Sequence, residues 1–441
     1  MAQSSSQQKF VHWFRCAAPY IHAFRDRTFV IAFGGEAMAD GGFERLVHDF
    51  NLLASVGVRL VLVHGARPQI EARLAQLDHE TRYVRELRVT DAMALQCAKE
   101  ASGRLRVEIE ALLSMGLPNS PMAGADIRVA SGNFVTARPL GVIDGVDLLY
   151  TGEVRRIDAP AIQHQLDREE LVLLSPLGYS PTGEVFNLTL EDVATAAAVA
   201  LRAEKLIFLT EEAFGGRRDE LLRELTAREA EALLGRKNAR LTADARLYLP
   251  HAVRACRDGV KRVHLVSRRA DGGLLLELFT HHGIGTMVTQ DALRTLRPAR
   301  TGDIGGILQL IEPLEADGTL LRRGREILET EIDSFFVVEH DGLIIGCAAF
   351  RPFRAEKSAE IACLAVHPEY RNAGAGEHLL DEIEKRARRT RLKKLFALTT
   401  RTAHWFVEHG FTDGSVDALP AERRAAYSLQ RRSKVLVKKL P

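Results

Sequence analysis

The sequence predicts an α/β chain in two parts: a doubly wound, largely parallel sheet over residues 26–290, then a smaller α+β unit over 297–441. Three observations carry this. Between about residues 28 and 288, short apolar runs rich in β-branched residues alternate with helical patterns, as strand–helix–strand crossovers require. Several of these runs lead straight into glycine-containing turns, the place where ligands meet the carboxyl ends of parallel strands. After about residue 295 the pattern changes to a helix, a hairpin and a strand that opens onto another helix. With 441 residues, 46% of them hydrophobic, the chain is long enough for two full cores.

In chain order, residues 1–25 form a separate segment whose first eight residues are polar. Phe10, Trp13, Phe14, Tyr20 and Phe24 then stripe an amphipathic helix over 9–24. The strands of the first domain are FVIAF at 29–33, RLVLVHG at 59–65, LVLLSPLG at 171–178, KLIFLT at 205–210 and RVHLVS at 262–267. Gly34-Gly35, Gly65-Ala66 and Gly178 mark their turns. Residues 291–296 read as a linker. The second domain begins with a helix near 303–315, followed by strands near 334–340 and 343–351 joined at Asp341-Gly342, and a strand near 358–366. In the next helix Leu379, Leu380, Ile383 and Ala387 recur at helical spacing and give one buried face.

Composition excludes several classes. The balance of 60 Lys and Arg against 58 Asp and Glu gives a net charge of +2, too little for the global field that nucleic-acid binding uses. No apolar run of about 18 residues is present to span a bilayer, and the polar N-terminus has no signal-peptide core. A soluble cytoplasmic protein is expected. Cys16, Cys97, Cys256, Cys347 and Cys363 are scattered without C-x-x-C spacing, which points to reduced thiols and to no structural metal.

The most telling stretch joins Val366 to Gly376. It ends a β-rich run and opens a helix through Arg371, Asn372, Ala373, Gly374, Ala375 and Gly376. Small residues let the backbone approach a ligand, and the free N–H groups of a first helical turn attract a diphosphate. The R-x-x-G-x-G spacing after this strand resembles motif A of the GNAT acetyltransferases. That resemblance implies acetyl-CoA as co-substrate, with its pantetheine arm along backbone N–H groups near Cys363, Leu364 and Val366.

The order FVIAFGGE, VLVHGARPQI, LRVTD, VFNLTLEDVA and HLVSRRADGGLLLELFTHHGIGTM resembles the amino-acid kinase family, acetylglutamate kinase in particular, over nearly all of residues 20–290. The resemblance implies a catalytic lysine where this chain has Ala32, and a second where it has His251. The glycine-rich HGGGP loop reads His64-Gly65-Ala66-Arg67-Pro68 here. Phosphoryl transfer is therefore not expected. The arginine-inhibited members of that family imply an arginine site at Tyr20, His264, Glu277 and Gly283, where a carboxylate at Glu277 can accept both parallel N–H groups of a guanidinium.

Acetyl transfer to an amine needs a base, oxyanion donors and an acid for the leaving thiolate. Glu360 lies one strand upstream of the cradle, and strand alternation puts Glu360 and Ala362 on the face opposite Ile361 and Cys363. Cys363 reads as a small packing residue and not a nucleophile. Thr399, His404 and Tyr427 compete for the acid. A dicarboxylic acceptor needs cations, and two arginine runs supply them: Leu320 to Arg325, and Arg431 to Lys434. Resemblance to the acetylglutamate synthases implies Glu360 as base and Leu321, Arg323, Cys363, Arg432 and Ser433 at the acceptor. A kinase-like domain ahead of a GNAT domain resembles the bacterial amino-acid N-acetyltransferases of arginine biosynthesis. Their function implies L-glutamate as acceptor, L-arginine as inhibitor and a homo-oligomer, possibly a hexamer.

Overall fold

The computed structural model describes residues 5–214, 222–236, 241–280, 283–371, 374–428 and 431–440. It comprises two compact units, Met1–Asp291 and Ala292–Pro441. The first is built on an eight-stranded sheet. Its centre is the strand Thr28–Phe33, flanked in parallel by Arg59–His64 and Lys205–Thr210, with Phe33 opposite both His64 and Leu209. These strands are apolar almost without interruption because helices cover both faces. Val30, Ala32, Val61 and Val63 pack on one side, and Phe29, Ile31, Phe33, Leu60 and Leu62 on the other. Arg262–Ser267 continues the parallel order, and Thr286–Thr289 then pairs with it antiparallel.

Several of the covering helices begin at capping side chains. Asp91 caps Ala92–Leu113 by accepting from the Ala94 N–H, and Thr189 caps Leu190–Ala200 by accepting from the Asp192 N–H. The N-terminal helix runs over Ser5–Phe24. Its aromatic stripe divides, with Phe24 buried and Phe10, Trp13 and Phe14 exposed. One expected strand is in fact two. LVLLSPLG splits into Leu171–Leu174 in the main sheet and Leu177–Tyr179 in a separate four-stranded sheet. Pro176 sits at the break, having no N–H to carry a ladder onward.

The second unit is a seven-stranded sheet in the order Arg294–Pro298, Phe335–His340, Leu343–Phe353, Ser358–Val366, Lys394–Thr399, Lys434–Lys439, Thr412–Gly414. The expected linker through residue 296 is corrected here: from Arg294 the chain is already an edge strand, paired with His340 back to Phe336. One pairing in this sheet is parallel, and it sets up the site. Ser358–Val366 and Lys394–Thr399 run in register from Ser358 with Lys394 to Ile361 with Ala397, and then part. Against this sheet packs the helix Ala375–Arg389, which buries Leu379, Leu380, Ile383 and Ala387. Leu379, Leu380 and Ile383 each contribute about 1.5–3 kcal/mol of burial, so the helix start is fixed relative to the strand end.

Candidate active site and candidate effector site

A helix opens at Gly374, at the turn where the sequence expects a cradle. Gly374 takes the left-handed conformation, φ 81°, and no side chain caps the helix behind it. A side chain at that φ would be strained, and one that capped the helix would take the N–H groups a phosphate needs. Ala375 and Gly376 are buried in the first turn, and Gly376 packs so closely that an added Cβ would lie 3.2 Å from Trp405. Arg371 is exposed beside it. Asn372 and Ala373 lie outside the described residues.

Glu360 lies on the parting strand, 3% exposed, and each of its carboxylate oxygens accepts from Arg423 Nε, at 3.0 and 2.9 Å. Two adjoining cavities share this ion pair. The larger, about 530 Å3, is lined by Glu331, Asp333, Arg351, Glu360, Glu422 and Arg423 among others. The smaller is lined by Leu321, Arg323, Glu360, Cys363, Tyr427, Arg431 and Ser433 among others. Glu360, an arginine wall and the strand bulge therefore meet in one place.

Cys363 corrects the expected alternation. A register shift between Cys347 and Ala349 marks a bulge in the facing strand pair, and Cys363 adopts φ 52°. Cys363 then packs with Ala362 and Ala365, while Ile361 packs in the opposite cluster. Cys347 Sγ donates to the Cys363 carbonyl at 3.6 Å. The Cys347 thiol, hydrogen-bonded to Cys363 and fully buried, is pushed well above the ordinary thiol range.

Of the residues expected at the acceptor, Leu321, Arg323, Cys363 and Ser433 line the smaller cavity. Arg432 does not line it. It is exposed at φ 47°, and this turn residue directs its neighbour Arg431 to the cavity instead. Arg431 Nη2 donates to the Thr319 carbonyl at 2.6 Å, tying the two arginine-bearing loops together. Burial, helped by the charge of Arg423, lowers the pKa of Arg431. Among the three acid candidates, Tyr427 lines the cavity and donates to the Ser433 carbonyl at 2.7 Å. Thr399 is buried at its strand end, bonded to Thr402. His404 is corrected: it stands in solvent, paired with Glu408 one helical turn on, and lines neither cavity.

In the first unit, the expected effector residues also converge. His264 Nδ1 and Glu277 Oε1 are 2.6 Å apart, and Lys205 Nζ is 3.1 Å from His264 Nε2. Lysine can only donate, so the proton of neutral His264 sits on Nδ1 and points at Glu277. Burial and the Lys205 charge hold His264 down at about 4. For Glu277, burial acts upward but is outweighed by His264 and the Gly285 and Ile284 N–H groups, leaving about 2. Gly283, φ 54°, lies so close that a Cβ would collide with the Glu277 carboxylate. The Tyr20 and Phe24 rings meet at a tilt, centroids 6.0 Å apart, and Phe24 covers the Lys205 ammonium at 5.2 Å. Lys205, a buried lysine opening an apolar strand, is the member that sequence reasoning missed.

At the kinase-like turns, Ala32 is buried in the core, and the Glu36 carboxylate and the Gln69 amide fold over Gly34 and Gly35, filling the space a side chain would take. Burial lowers His251 to about 4, so it is uncharged at neutral pH. Among the described residues, no group of three or more His, Cys, Asp or Glu could hold a metal ion, and no helix is long and apolar enough to cross a membrane.

Residues 27–267 match the amino acid kinase family and residues 308–411 the acetyltransferase (GNAT) family. The class is thus a GNAT acetyltransferase with an amino-acid-kinase-like domain ahead of it. The amino-acid acetyltransferase of Ralstonia nicotianae is 55% identical over 435 residues, covering 98% of this chain and 96% of that protein. The chain belongs to the amino-acid acetyltransferases. Crystallised N-acetylglutamate synthase from Neisseria gonorrhoeae is 42% identical, covering 98% of this chain and 99% of that one. Its complex with coenzyme A and L-arginine superposes with a TM-score of 0.87, and its complex with coenzyme A and N-acetylglutamate with 0.63.

Proposed function

We propose that this enzyme transfers acetyl from acetyl-CoA to the α-amine of L-glutamate, giving N-acetyl-L-glutamate and CoA, and that L-arginine inhibits it. The observation that carries the reading is the cavity in which buried Glu360 faces Arg323, Arg431 and Ser433 on the strand that leads to the cradle. A dicarboxylate with one ammonium matches that arrangement: arginines for the carboxylates, a carboxylate for the proton. The ligands of the gonococcal relative agree with it.

The residues divide the work. The uncapped turn at Gly374–Gly376, with Arg371 beside it, receives the diphosphate of acetyl-CoA, which supplies the activated acetyl group. Beyond Ile361, where Ser358–Val366 parts from Lys394–Thr399, the backbone near Cys363, Leu364 and Val366 lines the pantetheine arm and donates to the thioester oxygen. Glu360 takes the proton from the glutamate ammonium, so that the amine attacks directly. Tyr427 or Thr399 returns a proton to the departing sulfur. Cys363 packs and turns the strand. The amine attacks the thioester directly, and no acyl group passes through the Cys363 thiol.

In the first unit, Glu277, His264, Lys205 and Gly283 with the Tyr20–Phe24 pair are the arginine site. Phosphoryl transfer is absent: Ala32 and uncharged His251 supply no cation, and Glu36 opposes phosphate at the glycine turn. The domain roles assigned here, effector binding for 26–290 and catalysis for 297–441, rest on these two clusters. In this reading the protein works in the cytoplasm as a homo-oligomer. The test is CoA release from acetyl-CoA, which glutamate should start and arginine should suppress. Release that glutamate does not stimulate overturns the acceptor, and release that arginine leaves unchanged overturns the inhibition.

A further inference from the structure

We infer that Glu331 is a positioning residue that sets the affinity for the acceptor by holding Arg323; this rests on the reading of the acceptor as a carboxylate-bearing amino acid. Glu331 ends the helix Arg325–Glu331, and its own carbonyl accepts from Ser334 Oγ at 2.7 Å, which fixes the backbone at that corner. Its Oε2 serves two guanidinium groups at once, Arg323 Nη1 at 3.5 Å and Arg351 Nη2 in a close ion pair. Arg323 lines the acceptor cavity, while Arg351 and Glu331 line the larger one. Glu331 therefore stands behind the acceptor wall and acts through Arg323.

Arg351 is the direct cross-strand partner of Glu360. The charges consequently alternate across the site: Arg323, Glu331, Arg351, Glu360, Arg423. Remove Glu331 and both Arg323 and Arg351 lose their shared anion. Arg323 keeps a backbone anchor, its N–H donating to Glu315 at 2.9 Å, and its guanidinium stays 6.0 Å from the Phe335 ring centroid. Neither contact fixes the direction of its free nitrogens. Glu331 does that, turning the remaining donors of the fork toward the cavity.

The experiment compares parent, Glu331→Gln, Glu331→Asp and Arg323→Ala full-length enzymes in steady-state CoA release, with melting temperatures to certify folding. In Glu331→Gln the KM for glutamate should rise about five- to tenfold, with kcat and the KM for acetyl-CoA within about twofold. Glu331→Asp should recover part of the loss. In the Arg323→Ala background, Glu331→Gln should add nothing, because it has no guanidinium left to hold. An unchanged glutamate KM in folded Glu331→Gln overturns the inference, as does an equal effect with and without Arg323. Absence of glutamate-dependent release from the parent overturns the acceptor reading itself, and the inference with it.

Discussion

Replacing Glu360 with glutamine removes the proposed base while leaving its shape. The structure lets the two consequences, on rate and on folding, be separated. General-base catalysis contributes about a hundredfold to ten-thousandfold in rate, equivalent to about 3–5.5 kcal/mol of barrier. Glutamine cannot take a proton from an ammonium, so kcat should fall by that factor. The folding cost is smaller. Glu360 accepts two bonds from Arg423 Nε, and glutamine keeps one carbonyl oxygen for it. The Arg423 side chain is 17% exposed and borders a cavity of about 530 Å3, through which it reaches water when its anion is lost. One charge-assisted bond weakened under those conditions costs about 1–2 kcal/mol, a few degrees in melting temperature. The variant should therefore be folded, bind CoA with unaltered affinity by calorimetry, and turn over at no more than about a hundredth of the parent rate. Turnover within threefold of the parent, at saturating substrates and with the melt intact, would reject Glu360 as base.

Other outcomes follow from the same geometry. Arg431→Ala should raise the KM for glutamate several times more than Arg432→Ala, since Arg431 lines the cavity and Arg432 stands in solvent; equal effects would contradict that division. Glu277→Gln should weaken arginine binding, measured by calorimetry on folded protein, at least tenfold, because a neutral amide accepts a guanidinium poorly; unchanged binding would remove Glu277 from the effector site. Asp49→Asn should raise the melting temperature at pH 8. Burial, then Asp271, lifts the Asp49 carboxyl from 3.8 to about 7, so its contribution to stability declines as pH climbs from about 4 to 7, and an amide avoids that decline. His64 and His264 act oppositely. Burial lowers each from 6.5 to about 4, so the stability they give is full above 6.5 and is lost as pH falls toward 4. In the Asp49→Asn background, where the opposing carboxyl is gone, a melting temperature that is flat from pH 7 to 4.5 would contradict both histidine assignments.

Much of this architecture is written in local patterns. The parallel strands are legible because burial on both faces leaves uninterrupted apolar runs, and the cradle because a positive φ at Gly374 needs a residue without a side chain. Glu360 is legible as a carboxylate interrupting an otherwise apolar strand. What escapes is what depends on contacts distant in sequence or on a change of backbone hand. The bulge that moves Cys363 to the face of Ala362 leaves no mark in the residue alternation. Arg431 and Arg432 are indistinguishable in a run of arginines until the turn at Arg432 assigns one to the cavity and one to solvent. Arg423 lies in a helix of unremarkable composition, 63 residues from the carboxylate it holds. His404 illustrates the opposite error: a histidine near a functional helix draws attention by its chemistry, yet it stands exposed, paired with Glu408 on its own helix.

Coupling the two units is the central claim, and glutamate-dependent CoA release with and without arginine tests it most directly. Parent enzyme should release CoA only when glutamate is present, and rising arginine should suppress that release, with Glu277→Gln needing more arginine for the same effect. Release that proceeds equally without glutamate, or that arginine cannot reduce while calorimetry shows arginine bound, would contradict it.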